Sequence, residues 1–206
     1  MVERARLIHN ASNTATAALG RALSAVCMMG ADLKGDYGSV TLQIKGNGPL
    51  GAIVAVSDSK GYTRGYLQNP SIELPPSKDG KIAVGAGVGS DGYLSVIRDL
   101  NLREPYTGQV ELVSGEIAED VSHYFAESEQ IPTVCALGVL MGNDRHVIQS
   151  GGYILQLLPS AGEEIIEKIE NNVGKLPAFT AMRQSGMSLE NVISAVLEGF
   201  GPKILE

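Results

Sequence analysis

The run Ser114–Gln130, SGEIAEDVSHYFAESEQ, gathers Glu116, Glu119, Asp120, Glu127 and Glu129 around His123. Carboxylates and imidazole are the groups that ligate metals and carry protons. Glu119 and His123 stand four residues apart, so on a helix they share a face and could hold a metal between them. A site would need a third ligand, and no local pattern brings the other histidines, His9 and His146, close. In the same run Ile117, Val121, Tyr124 and Phe125 recur at i, i+4, i+7 and i+8, which is an apolar stripe. Glu116, Asp120, His123 and Glu127 lie along another face. Charges opposite a stripe are what a solvated helix shows. The acids therefore read as surface groups and as partners of the positive helix end, behind a cap at Ser114. A small hydrolase built on this run is the competing enzyme reading.

Two other motifs match chemistry only in letters. GVGSDG, with Gly87, Gly89 and Gly92, fits a dinucleotide fingerprint. That site needs a helix after the glycines, whereas YLSVIRDL is strand-like and Asp91-Gly92 favours a hairpin turn. Ser57 to Lys60, SDSK, lies in a turn and lacks the partner motifs of the serine enzymes it resembles. Cys27 and Cys135 are the two cysteines, both in apolar surroundings, and read as buried, inert thiols.

The elements that would position any site follow from periodicity. A helix is predicted from a cap at Asn13 or Thr14 to about Leu33, stopped by Gly35. Val40, Leu42 and Ile44 alternate with Thr41, Gln43 and Lys45, the sign of a sheet wet on one face. With GAIVAV and YTRGYL they make an antiparallel meander over 38–68. NPSIELPPSKDGK is loop; IAVGAGV and YLSVIRDL read as a hairpin, and YTGQVELV as a further strand. VCALGVLM and GYILQLLP pair as core strands around GNDRH. Ser160 and Glu163 read as a capping box for a helix burying Ile165, Ile166, Ile169 and Val173, ended by Gly174 and broken by Pro177. A polar joint, MRQSGMS, leads to a last helix capped by Ser188. Its stripe is Leu189, Val192, Ile193, Val196, Leu197 and Phe200.

The 206 residues carry a net charge of −7 and no tryptophan, which argues against nucleic acid as a partner. The longest apolar run, Val134–Met141, is too short to span a bilayer. The opening MVERARLIHN lacks the apolar stretch of a signal peptide, so the expected compartment is the cytoplasm, without a membrane partner.

HNASNTATAALGRALSA, VTLQIKGNGPLGAIVAV, RGYLQNP, EPYTGQVELVSGEIAEDVSHYFAESEQIPTVCALGVL and GGYILQLLP closely resemble the redox-regulated thirty-three-kilodalton heat-shock chaperones. The similarity runs over about residues 9–200. It implies an α+β fold, a two-sheet, mostly antiparallel core with packed helices and a helical linker. It also implies a non-enzymatic, ATP-independent holdase for unfolding proteins. In that family one zinc ion sits on four cysteines in a C-terminal domain. Oxidation releases the zinc, and that domain and the linker unfold.

Cys27 and Cys135 do not match those ligands, so neither zinc nor redox switch carries over to these residues. The expectation is a truncated form with a core at 1–176 and a linker at 177–206, free of cofactor and active without oxidant. The Leu189–Phe200 stripe would cover or form the client-binding surface. A homodimer, even one with exchanged elements, fits the family. A constitutive interaction module for one partner is the alternative outside it.

Overall fold

The computed structural model describes residues 1–35, 37–159 and 161–203. One helix organises the rest. It is α2 (Asn13–Ala31), after a short α1 (Val2–His9). Alanine and glycine crowd α2, and nearly all of it is buried, from Thr14 to Gly30. Small side chains let neighbours approach on every side. A Cβ at Gly20 would stand 2.7 Å from methyls of both Val139 and Val2. The cap is Ser12 rather than the expected Asn13 or Thr14. Its Oγ accepts from Ala15 N at 3.1 Å and donates to the Ile72 carbonyl. The proline-broken loop 68–82 is thereby fastened to the helix start, and Glu73 Oε2 accepts from Asn13 N at 2.8 Å.

Against one side of α2 lies a five-stranded antiparallel sheet of β1 (Ser39–Gly46), β2 (Ile53–Asp58), β3 (Thr63–Leu67), β4 (Gly92–Asp99) and β5 (Tyr106–Glu111). The order is β3-β2-β1-β4-β5. The period-two pattern puts Val40, Leu42, Ile44, Ile53, Leu94 and Val96 into the core. The expected hairpin of IAVGAGV with YLSVIRDL does not form. Val84–Val88 is a short helix, α3, and β4 pairs with β1 from Ser39↔Asp99 to Gly46↔Gly92. The Gly87 and Val88 carbonyls accept from Leu50 N and Gly48 N instead, which commits this stretch to the β1–β2 loop. The glycine fingerprint thus follows a helix rather than opening one, and no dinucleotide geometry results.

Across α2, the ribbon β6 (Thr133–Met141) and β7 (Val147–Gln156) forms a second sheet, as the pair around GNDRH implied. Helix α4 (Ile117–Glu127) packs on β6 and α2. The fold is α+β with two antiparallel sheets, as the sequence indicated. The first ten residues hold an element that was not foreseen. In α1, Val2 is buried, Glu3 Oε2 accepts from Val147 N at 2.8 Å, and His9 Nε2 donates to the Gly65 carbonyl at 3.0 Å.

Three helices end the chain: α5 (Glu163–Lys175), α6 (Phe179–Gln184) and α7 (Leu189–Val196). Gly162 is the N-cap of α5, and the capping box falls on Ser160, outside the described residues. Of the four side chains expected on its buried side, Ile169 is buried while Ile165 is 39% exposed. Gly174 lies inside the last turn rather than ending the helix. The supposed polar joint is half helix. Phe179 and Met182 of α6 are buried, and Gly186 at φ 86° closes a Schellman end in which Met187 N bonds the Met182 carbonyl. Ser188 caps α7, accepting from Asn191 N at 3.2 Å.

Candidate functional site

The acidic run spreads its side chains over several separate contacts. Among the described residues no group of three or more His, Cys, Asp or Glu side chains is placed to hold a metal ion. Nor is the run simply a wet face, and three of its acids correct that expectation. Asp120 is fully buried, and its Oδ1 accepts from Val113 N at 2.8 Å and Ser114 N at 3.2 Å. Burial pushes its carboxyl above the ordinary range, against the pull of these backbone bonds. Glu116 accepts from Gly85 N at 3.0 Å and pairs with Arg21, tying α3 and α2 to the start of α4. Glu129 accepts from the buried Tyr124 hydroxyl at 2.6 Å and pairs with Arg98 at 3.4 Å. Burial, then the Glu129 contact, raises the Tyr124 hydroxyl. Glu119 and Glu127 are exposed, as read. Ser114 is not the cap: Glu116 holds that position, and Ser114 Oγ accepts from Glu116 N while donating to Glu119 at 2.6 Å. Five acids in one helical run thus serve mostly to fasten α4 to the core.

Apolar surface is where the structure concentrates something unusual. The helices α5–α7 share a small hydrophobic cluster of their own, Phe179, Met182, Val192 and Val196, with Tyr153 and Leu155 of β7 beneath it. This cluster is distinct from the main core around α2. Two cavities lie where the helical layer meets α2 and β7. One, of about 460 Å³, runs between Met29, Phe125, Tyr153, Leu155, Val196 and Leu197. The other, of about 500 Å³, lies between Cys27, Ile148, Phe179, Arg183 and Leu189. Met28 and Gly152 line both. Both are open to solvent, so apolar surface of α2 and β7 is left only partly covered where the layer meets it.

The six residues of the final stripe divide accordingly. Val192 and Val196 are buried and Leu197 is half-buried against the cluster. Leu189 and Ile193 are 51% and 41% exposed. Phe200 turns to α5, where Lys168 Nζ stands 4.6 Å from its ring centre. Polar bonds hold the layer to itself. Asn172 donates to the Val196 and Glu198 carbonyls at 3.2 and 3.0 Å, and Lys168 to the Gly199 carbonyl at 2.9 Å. The receiving side, Met28, Met29, Tyr153 and Leu155, was not singled out from the sequence. The adjacent methionines were its one legible signal, since flexible thioethers suit irregular apolar surfaces. Both cysteines are free. Burial pushes the Cys135 thiol up to about 12, and burial followed by Cys135 raises the Tyr153 hydroxyl.

A family model described as Hsp33 protein matches residues 1–206. The chain belongs to the Hsp33 family. It is 52% identical over 205 residues to the 33 kDa chaperonin of Clostridioides difficile, covering 100% of this chain and 70% of that protein. To the 33 kDa chaperonin of Desulforamulus reducens it is 50% identical, covering 100% and 69%. The crystal structure of the Hsp33 homologue of Thermotoga maritima superposes with a TM-score of 0.91 at 40% identity, over 100% of this chain and 69% of that one. The antiparallel two-sheet core is therefore the Hsp33 fold, and membership places the chain among chaperones. No helix among the described residues is long and apolar enough to cross a membrane. The four-cysteine zinc site that the resemblance implies finds no matching residues here. Cys27 and Cys135 are the two thiols, and among the described residues neither is grouped with two further His, Cys, Asp or Glu side chains placed to hold a metal ion.

Proposed function

We propose that this Hsp33 chain is an ATP-independent holdase that captures unfolding proteins on the apolar surface between α2, β7 and the α5–α7 layer. The observation that carries the reading is the pair of open apolar clefts where that layer meets α2 and β7, next to a hydrophobic cluster separate from the main core. A layer of short helices with few buried side chains sits at the low end of local stability. Its opening would uncover Met28, Met29, Tyr153 and Leu155 together, a continuous patch of the kind that marks protein interaction. Nothing in this step needs a metal, a nucleotide or a reactive side chain. The work is burial of a client's apolar area, at about 25 cal/mol per Å².

In longer relatives, oxidation and zinc release would govern that opening. We expect these residues to hold clients without oxidant, because the layer that must open is only partly seated, with Leu189 and Ile193 half exposed. Unfolding proteins are the partners in this reading, the cytoplasm is its setting, and dimerisation is compatible with it.

The test is light scattering by a heat-unfolding client in the presence of the fully reduced chain. Suppressed aggregation is the expected result. Aggregation as fast as in buffer would end the holdase reading for this chain. A partner-specific module would bind one protein stoichiometrically and leave unrelated clients to aggregate.

A further inference from the structure

A second concave surface lies between α1 and the β2–β3 hairpin. It is a cleft of about 590 Å³ whose walls include Arg4, Ile8 and His9 on one side and Tyr62 and Arg64 on the other. Its charge is the reverse of the chain's. Two of its lining residues, Arg4 and Arg64, are cationic and none of the described ones is acidic, in a protein of net charge −7. Arg4 and Arg64 are exposed, and neither is in an ion pair among the described residues. The carboxylate beside Arg4, Glu3, is engaged with Arg6 and with Val147 N. A local field of opposite sign draws in anionic groups that the rest of the surface repels.

The cleft also has a backbone wall. β3 is an edge strand, paired with β2 alone. The Gly65 carbonyl points away from β2, since His9 Nε2 reaches it from α1. Alternate residues of an antiparallel strand direct their backbone groups to the same side, so Thr63 shares that side. The apolar side chains are unusually open: Ile8 is 68% and Tyr62 72% exposed. Gly65 packs closely there: a Cβ would stand 2.6 Å from the Val54 carbonyl oxygen and 3.1 Å from a Leu23 methyl.

We propose that this cleft docks an acidic, extended polypeptide segment. Carboxylates of the segment would meet Arg4 and Arg64, and its apolar side chains would rest on Ile8 and Tyr62. The Gly65 carbonyl is taken by His9, so Thr63 is the backbone position this edge offers, and the side chains supply the selectivity. A bare anion would use the two arginines and leave Ile8, Tyr62 and the strand edge idle, which is why a peptide is favoured over phosphate. The surface is built without the α5–α7 layer, so it stands or falls independently of the holdase reading.

The experiment is fluorescence anisotropy with a labelled hexapeptide alternating Asp and Phe. A Lys–Phe alternation serves as counter-probe. Saturable binding to the Asp–Phe peptide, weaker at high salt, is expected. Arg4→Glu with Arg64→Glu should weaken it by about tenfold or more, since two exposed ion pairs become repulsions. Lys78→Glu with Arg103→Glu makes the same change of net charge on exposed residues elsewhere and should shift affinity by less than about twofold, because distant surface charges are screened. If reversal disturbs folding, Arg4→Gln with Arg64→Gln replaces it, with a smaller loss in the same direction. No saturable binding, equal binding of the Lys–Phe peptide or equal losses in both double variants would overturn the proposal. Displacement of the peptide by inorganic phosphate or a single-stranded oligonucleotide as readily as by unlabelled peptide would do the same.

Discussion

Val196→Asp should release α7 and turn the chain into a more open holdase. Val196 is 3% exposed and is one of two fully seated side chains on this eight-residue helix, the other being Val192. Burying a valine contributes about 1.5–3 kcal/mol, so the substitution removes roughly half of the helix's apolar anchorage. It also demands that a carboxylate be buried in an apolar cluster, which costs several kcal/mol unless the group is paired. What remains is mainly Val192, the half-buried Leu197 and the bonds from Asn172 and Lys168 to the carbonyls of Val196, Glu198 and Gly199. Those bonds are worth about 0.5–1.5 kcal/mol each. A helix this short is not stable in water alone, so undocking and unravelling come together. The readouts are fluorescence of a hydrophobic dye and tryptic cleavage after Arg183, with Ser194→Asp on the exposed face as control. Dye signal, cleavage and client holding should all rise in Val196→Asp and stay at the parent level in Ser194→Asp. A Val196→Asp protein with parental dye binding and cleavage would refute the weakly seated layer.

Asp120→Ala strips the partner from Val113 N and Ser114 N and should destabilise the chain by about 2–4 kcal/mol, read by urea denaturation. Asp120→Asn, which keeps an acceptor, should cost less and carries a pH signature. The Asp120 carboxyl is raised in the folded state, so its contribution is full below the ordinary Asp range and is lost as pH rises through the folded value. Stability of the parent relative to Asp120→Asn should fall with rising pH across that window; a flat difference would contradict the burial argument. Glu3 works in the opposite direction. Its bonds with Arg6 and Val147 N bring its carboxyl from 4.5 to about 2, so stability present above 4.5 is lost as pH falls toward 2. Glu3→Gln should remove that part of the acid limb in thermal melts. Cys135, with its thiol raised to about 12, should escape iodoacetamide at pH 8 in the native chain and react after unfolding, as peptide mass spectrometry will show.

Much of this molecule is written locally. Alternation in β1, the Ala/Gly content of α2 and the Ser188 cap with the stripe behind it are signals within one or two turns or pleats. Such signals survive in any context that supplies a core. The family resemblance added the two-sheet plan. What local pattern missed shares one cause, dependence on partners far along the chain. Helix α1 is held by Val147 and Gly65, 144 and 56 residues away in sequence from Glu3 and His9. The stretch 84–88 became helix because β4 went to β1 and the carbonyls of Gly87 and Val88 were taken by the loop after β1. Asp120 and Glu119 are neighbouring acids, yet one is buried and the other exposed, since a buried carboxyl persists only where backbone donors wait for it.

The candidate site divides along the same line. Composition and periodicity determined that α7 has a greasy face and that no reactive cluster was in view. Only the tertiary structure decided that Val192 and Val196 are seated while Leu189 and Ile193 stay exposed along the two clefts, and that Phe200 leans on Lys168. It alone placed Met28 beneath two cavities. An amphipathic stripe states which side of a helix avoids water. How well that side fits depends on the shape of the surface it meets, and that shape is assembled from α2 and β7, elements remote in sequence.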